Sequence, residues 1–429
     1  MKKLLLACLL GAAASLTQAG AKIEHWTTPS GARAYFVESR VVPIVDVQIE
    51  FAAGSAYAPP GKEGLAGLTR GLLDMGAGDL DEEMIADRLA DIGARLGGGV
   101  DLDRAGISLR SLSSKHELEA GLDLLRLVLQ RPTFPAAALE REKTRGIAGI
   151  KESDTRPASI AAKRFSAELY PGHPYGRRAT VDSMENITRE DLLKFFRAHY
   201  GARRAVVSII GDLSRAEAES IAQRLTEGLP DAPAEVSLPD TAMPVRSTVR
   251  IDHPASQAHI HIGVPAVRRG DPDYIPLLVG NYILGGGGFV SRLMKEVREK
   301  RGYAYSVYSY FQPLKQPGPF QIGLQTKREQ AGEALKVVEE VLAEFLARGP
   351  TEVELKAARR NLADGFPLRI DSNRKLLEYL SVIGFYGLPL SYLDDFPRKV
   401  EAVTVADIRA AFARHVKPEH FVTVIVAGD

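Results

Sequence analysis

His259 and His261 alternate with apolar residues in AHIHIGVPA, which places both imidazoles on one face of a strand, where they could offer two ligands to a metal ion. No third His or Cys stands near them in sequence, so the same pair also reads as ordinary sheet. Gly285, Gly286, Gly287 and Gly288 could cradle a phosphate, but no Gly-Lys-Ser/Thr follows and no strand–loop–helix P-loop surrounds them. Neither G-x-S-x-G nor H-E-x-x-H occurs, and the only cysteine, Cys8, lies close to the N-terminus. Tyr305 by itself is either a core aromatic or a hydrogen-bond donor. Arg298 by itself is a charge at a helix end, where it complements the dipole.

The elements that must hold these residues repeat. ITREDLLKFFRAHYGARRAVVSIIGD ends at Asp212, and VTVADIRAAFARHVKPEHFVTVIVAGD ends at Asp429. Thr188, Asp191, Phe196 and His199 recur as Thr404, Asp407, Phe412 and His415, an offset of 216 residues that Tyr170 and Tyr386 share. Each Thr followed three residues later by Asp predicts a capping box, then an amphipathic helix, then a β-branched strand. His199 and His415 fall near helix ends and read as structural; His173 sits in a Pro-Gly loop without a ligand partner in sequence. The pattern predicts an α+β fold of two homologous halves, each a mixed or antiparallel sheet covered on one face by helices. The halves are expected at 20–228 and 246–429. Between them lies the linker 229–245, whose LPDAPAEVSLPDTAMP carries four prolines. Strands from Val45 and Ala258 are expected to open the halves, with long helices in EEMIADRLADIGARL and EQAGEALKVVEEVLAEFLARG. Gly97–Gly99 reads as a turn before a strand.

Strand alternation in YAYSVYSYF puts Tyr303, Tyr305, Val307 and Ser309 on one face. Phe289, Leu293 and Val297 recur every four residues, which predicts a helix ending at Arg298 and broken by Arg301-Gly302.

The chain has 429 residues with 55 Lys+Arg and 54 Asp+Glu, a balance that offers no basic field for nucleic acid. Hydrophobic residues make up 45% and charged residues 25%, which excludes the disordered and collagen-like classes. MKKLLLACLLGAAASLTQA, residues 1–19, reads as a secretory signal peptide, with two lysines, a short apolar core and small residues before the cut. The expected location is the periplasm. Removal of this segment takes Cys8 with it, so the fold must stand without disulfides. No later stretch approaches the roughly 18 apolar residues of a membrane span.

GGGGFVSRLMKEVREKRGYAYSVYSYF, residues 285–311, resembles the C-terminal signature of the insulinase/pitrilysin-type metallopeptidases, a family that includes the mitochondrial processing peptidases and bacterial two-subunit peptidases. VDVQIEFAAGSAYAPPGKEGLAGL, PGHPYG at 171–176, the duplication and the proline-rich linker extend the likeness over nearly the whole chain. Members with a metal site carry H-x-x-E-H on the first helix, with two imidazoles on one helical face and a Glu to activate the metal-bound water. Here Gly67, Arg70 and Gly71 stand at those positions, and Ala148 and Gly149 where the family has a glutamate pair, with Glu140, Glu142 and Glu152 nearby.

The resemblance therefore implies no metal on this chain and a zinc-bearing paralogue with H-x-x-E-H as partner. Arg298 and Tyr305 match the family's substrate-binding Arg and Tyr. Arg298 would hold a substrate carbonyl, and Tyr305 would donate to the oxyanion formed when zinc-bound water attacks. Tyr303 departs from the pattern, since the family has an aliphatic residue there. Gly285–Gly288 would form a mobile, substrate-contacting loop beside the chamber, or else a flexible connector. The implied function is a non-catalytic, substrate-binding subunit of a heterodimeric zinc peptidase. It would form half of a clamshell around an unfolded or extended peptide, and peptidase activity would require the pair. The alternative is an inactive scaffold or peptide-binding protein of the same fold.

Overall fold

The computed structural model describes residues 22–232 and 237–428; the expected signal peptide, Cys8 and part of the expected linker lie outside the described residues. The strands are β1 (Glu24–Thr27), β2 (Arg33–Glu38), β3 (Ile44–Phe51), β4 (Gly76–Ala77), β5 (Leu80–Asp81), β6 (Arg95–Val100), β7 (Ala105–Leu112), β8 (Val206–Gly211), β9 (Ser247–Asp252), β10 (Gln257–Val267), β11 (Ala304–Phe311), β12 (Gly318–Lys327) and β13 (Val422–Ala427). They form a six-stranded sheet in the order β1-β2-β8-β3-β7-β6, a five-stranded sheet in the order β11-β12-β10-β13-β9, and the small pair β4-β5.

The two large sheets repeat one plan. β8 runs parallel to β2 and antiparallel to β3, as β13 runs parallel to β9 and antiparallel to β10. β6 and β11 are then equivalent edge strands. The halves do not open at Val45 and Ala258 as expected: β1 and β2 precede β3, and β9 precedes β10. Both predicted capping boxes form, with Thr188 and Thr404 accepting from the amides of Asp191 and Asp407. The equivalent histidines close the same contact. Nδ1 of His199 meets the Ala52 carbonyl at 3.0 Å and Nδ1 of His415 the Ala266 carbonyl at 2.9 Å, each tying a helix end to the chain at the end of the central strand.

One face of each sheet carries its own helices, among them Lys115–Gln130 in the first half and Ala331–Arg348 in the second. The opposite face is not bare, as the reading of one covered face had it. Helix Pro157–Leu169 crosses to pack on β10 and β13, and helix Asn373–Tyr386 crosses to pack on β2, β3 and β8. The alternation of β8 shows the division. Val207 and Ile209 join the cluster of Leu122 and Leu125, whereas Val206 and Ile210 join that of Leu377, Leu380 and Ile383. Burial on both faces is why β8 and β13 read as continuous apolar runs rather than alternating ones.

Gly97–Gly99, expected as a turn, lies inside β6, and the helix predicted through Leu96 stops at Asp91. Tertiary pairing with β7 overrides the helical pattern at its end.

Candidate functional site

The helix Leu65–Gly71 carries Gly67, Arg70 and Gly71. A cavity of about 370 Å³ opens over it, lined also by Glu142, Gly146 and Ile150 of the helix Ala136–Ser153. That helix thus faces the cavity through Glu142, Arg145, Gly146 and Ile150, not through Ala148 and Gly149, because residues four apart share a helical face. A Cβ added at Gly67 or Gly71 would meet nothing within 4 Å, so the cavity is the space two larger side chains would fill.

Arg70 turns away from this space. It is only 8% exposed, and its Nε donates to the Gly106 carbonyl at 2.7 Å while Nη2 donates to the Gly97 carbonyl. The guanidinium thereby staples the edge strand β6 and its neighbour β7 to the helix. Glu142, the carboxylate on the cavity wall, is engaged by Arg141 at 3.1 Å and Arg145 at 3.0 Å. Two glycines and a cation-paired carboxylate do not fit a zinc ion, whose protein ligands are imidazole, thiolate and carboxylate.

Among the described residues, Asp271, Asp273 and His415 are the one group of three donors close enough to share an ion. Arg414 already grips Asp273 through two bonds of 2.6 and 2.7 Å, and His415 Nε2 lies 2.9 Å from the same carboxylate. His259 and His261 do share a face, but that face is covered by the helix Pro157–Leu169. His261 lies on the ring of Phe165 and its Nδ1 bonds Gln321 Nε2 at 2.7 Å. Burial pushes the His261 imidazole down to about 4, so it is neutral and structural. His173 ties the loop 171–176 to the chain beyond it: Nε2 meets the Pro239 carbonyl at 2.9 Å and Nδ1 accepts from the Tyr175 amide.

The second region is built around β11. Ala304 pairs with Thr326 and Ser306 with the adjacent Gln325, so Tyr305 is an extra residue, a β-bulge. The bulge breaks the simple alternation. Ala304, Val307 and Ser309 face the core, while Tyr305 is 81% exposed and lies on the other side from Val307 and Ser309. Bulges re-aim side chains in this way and are frequent beside active sites. The predicted helix before β11 is also irregular. Gly288–Val290 is a 3₁₀ turn and Met294–Glu299 a π turn. Leu293 and Val297 are buried as expected, but Phe289 is exposed. Its ring lies 4.8 Å below the Arg298 guanidinium, and the Tyr305 ring lies 4.9 Å from the same group. Arg298 thus lies against two exposed aromatic rings, and no acceptor among the described residues is hydrogen-bonded to it.

Gly285 and Gly286 lie in a helix rather than a loop, and Gly287 is the turn before the 3₁₀ segment that Gly288 opens. The helix Tyr274–Asn281 continues through a π turn, Tyr282–Gly286, and a Cβ at Gly285 would lie 2.4 Å from Ser309 Oγ. The glycine is there because the helix presses directly on β11. A residue absent from the sequence reading secures this contact. Asn281 Nδ2 donates to the Ser309 carbonyl at 3.0 Å, and Ser309 Oγ bonds Asn281 Oδ1 at 2.7 Å. Both are buried, so the edge strand that presents Tyr305 is clamped to the helix that bears the glycines.

A third cluster left little trace in sequence. Asp103, in the hairpin between β6 and β7, is fully buried at 0% exposure. Its carboxylate accepts from Tyr175 at 2.5 Å, Tyr386 at 2.8 Å and the Lys315 amide at 2.8 Å, the last from the hairpin between β11 and β12. Burial pushes the carboxyl above the ordinary range against the pull of these three donors. The equivalent hairpins of the two halves therefore meet around one acid, which suits a joint between halves. Only the Asp-Leu-Asp-Arg turn composition hinted at it.

Residues 35–182 match the insulinase family, peptidase M16, and residues 186–362 match the peptidase M16 inactive domain. The crystal structure of a peptidase M16 inactive domain from Pseudomonas fluorescens is 40% identical and superposes with a TM-score of 0.91, covering 95% of this chain and 98% of that one. A Helicobacter pylori protein, non-peptidase homolog YmxG, is 26% identical over 100% of this chain and 99% of its own length. The periplasmic protease PqqL from Escherichia coli shares the fold at 17% identity, with a TM-score of 0.80 over 96% of this chain and 46% of its own. The chain belongs to the insulinase-type M16 peptidase family. The helix Leu65–Gly71 carries no histidine, and H-x-x-E-H occurs nowhere in the sequence.

Proposed function

We propose that the chain is a non-catalytic, substrate-binding subunit of a two-chain zinc metallopeptidase, acting in the periplasm. A zinc-bearing paralogue would supply H-x-x-E-H, and this chain would supply Arg298 and Tyr305. The observation that carries the reading is the bulge at Tyr305. It turns a tyrosine out of the sheet beside an unengaged guanidinium, and no group among the described residues uses the phenol hydroxyl. A packing residue gains nothing from such exposure, whereas a hydrogen-bond donor to a peptide oxyanion needs it. β11 is an unpaired edge strand, so an extended substrate can add to it through main-chain hydrogen bonds without strict sequence demand. Gly286 and Gly288, exposed at the head of the same edge, would let a peptide backbone approach; Gly285 and Gly287 would shape the turn behind it.

The name of the Helicobacter relative favours a second reading, an inactive scaffold or peptide-binding protein of the same fold. Reconstitution separates the two. The purified chain alone should not cleave an unstructured peptide, and adding the zinc-bearing paralogue should raise cleavage well above that of the paralogue alone. A paralogue equally active by itself would reject the subunit reading in favour of the scaffold. The described residues include no helix long and apolar enough to cross a membrane.

A further inference from the structure

Two adjoining cavities of about 480 and 500 Å³ open in the second half and share Arg269, Tyr274, Tyr392 and Phe396 on their common wall. They lie between the first helix of that half, Tyr274–Asn281, and the helix Tyr392–Ala402 that precedes the capped helix Val405–His415. In the first half, the cavity over Gly67 and Gly71 lies between Leu65–Gly71 and the region of Val181–Glu185, which precedes the capped helix Arg189–His199. The duplication thus places the paired cavities at the counterpart of the degenerate zinc locus, with a different lining.

Arg269 is the unusual part of that lining. Its backbone amide is fixed to the Leu314 carbonyl at 2.7 Å. Its guanidinium lies 5.6 Å from the Tyr274 ring and 5.4 Å from the Tyr386 ring, and its Nε is buried with no hydrogen-bond partner. The other cations on these walls are engaged. Lys375 pairs with Asp371 at 2.9 Å, Lys399 lies 3.7 Å from Asp395, and, while burial raises the Tyr379 phenol, Arg369 sits close enough to lower it. One partly desolvated guanidinium, framed by aromatic rings, faces the cavities, and no carboxylate among the described residues is ion-paired with it. Such a group is costly unless a ligand completes its hydrogen bonds.

We propose that this cavity pair binds a carboxylate carried on an apolar or aromatic body, with Arg269 as counter-ion and Tyr274, Tyr392 and Phe396 packing the body. A planar carboxylate matches the guanidinium fork, and the carboxylates of Asp271, Asp407 and Glu378 on the walls disfavour a more highly charged anion. The C-terminus of a peptide and a small free acid share this chemistry. The site stands apart from Arg298 and Tyr305 and does not depend on the two-chain reading.

Isothermal titration of the intact protein with three probes tests it: acetyl-Ala-Phe-Phe as the free acid, the same tripeptide as its C-terminal amide, and 3-phenylpropanoate. The free acid should bind at least about tenfold more tightly than the amide, the range expected for a charge-assisted bond. Arg269→Gln should abolish that preference, and Arg298→Ala should leave it intact. Binding of 3-phenylpropanoate as tight as that of the tripeptide acid would assign the site to small acids; much weaker binding would assign it to peptide termini. Equal binding of acid and amide, no heat from any probe, or an acid preference that survives Arg269→Gln would each overturn the proposal. If Arg269→Gln fails to fold, Arg269→Lys keeps the charge without the fork and should reduce the preference, and an unreduced one would count against the site.

Discussion

The edge strands β6 and β11 occupy equivalent places in two sheets of one plan, yet they treat their polar residues in opposite ways. At β6 the arginine of the adjoining helix, Arg70, is folded inward and spent on the carbonyls of Gly97 and Gly106. At β11 the arginine of the adjoining turn, Arg298, stays between exposed rings, and a bulge turns Tyr305 outward. The clamp also differs. A guanidinium holds β6, whereas the neutral pair Asn281 and Ser309 holds β11 and leaves the charge next to it free. The duplication thus preserves a scaffold and not a set of side-chain roles. Backbone pairing can stay constant while one edge draws an arginine inward and the other turns a tyrosine outward.

The largest effect expected from this contrast is at Tyr305. In the reconstituted pair, Tyr305→Phe should lower turnover by roughly 10²–10³-fold while changing substrate affinity much less, because the lost bond is strongest in the transition state. Steady-state kinetics would show it, and unchanged turnover would make the exposed tyrosine a relic and the two edges alike.

The equivalent histidines sharpen the contrast in another way. Burial holds His199 down to about 4, whereas His415 shares Asp273 with Arg414. A depressed histidine is neutral in the folded chain, while the unfolded chain takes up a proton near pH 6.5. The folded state is then fully stable above about pH 6.5 and loses stability as the pH falls toward about 4, by up to about 3 kcal/mol for this one group. Denaturant midpoints measured across that window should fall, and His199→Gln should flatten the slope. A slope untouched by the substitution would place the acid sensitivity elsewhere.

Arg70→Met keeps the bulk of the stem but leaves the buried carbonyl of Gly106 and the half-buried one of Gly97 without their donor. It should cost about 1–3 kcal/mol and speed hydrogen exchange in β6 before the rest of the sheet. If β6 stays as protected as before, the arginine is not what seals that edge. The smallest effect has the opposite sign. A Cβ at Gly67 meets open space, so Gly67→Ala should stabilise the helix by about 0.5–1 kcal/mol. A loss of stability there would show that the glycine is needed for close packing and that the cavity is narrower than it looks.

Much of this molecule is legible from residue order alone, because the signals are local. The Thr188/Asp191 and Thr404/Asp407 capping boxes, the β-branched runs of β8 and β13, and the offset between the halves follow from short-range hydrogen bonding and hydrophobic period. That Gly67 and Gly71 offer no side-chain ligand is likewise a fact of sequence. The rest depends on contacts between distant segments. Nothing local announces that helices Pro157–Leu169 and Asn373–Tyr386 exchange sheets, or that Asp103 collects donors from both halves. The direction of Tyr305 belongs to the same class. Strand period alone assigns it to the face of Val307 and Ser309, but the register against β12 inserts one extra residue, and that choice is made by pairing energy across the sheet rather than by the residues of β11 themselves.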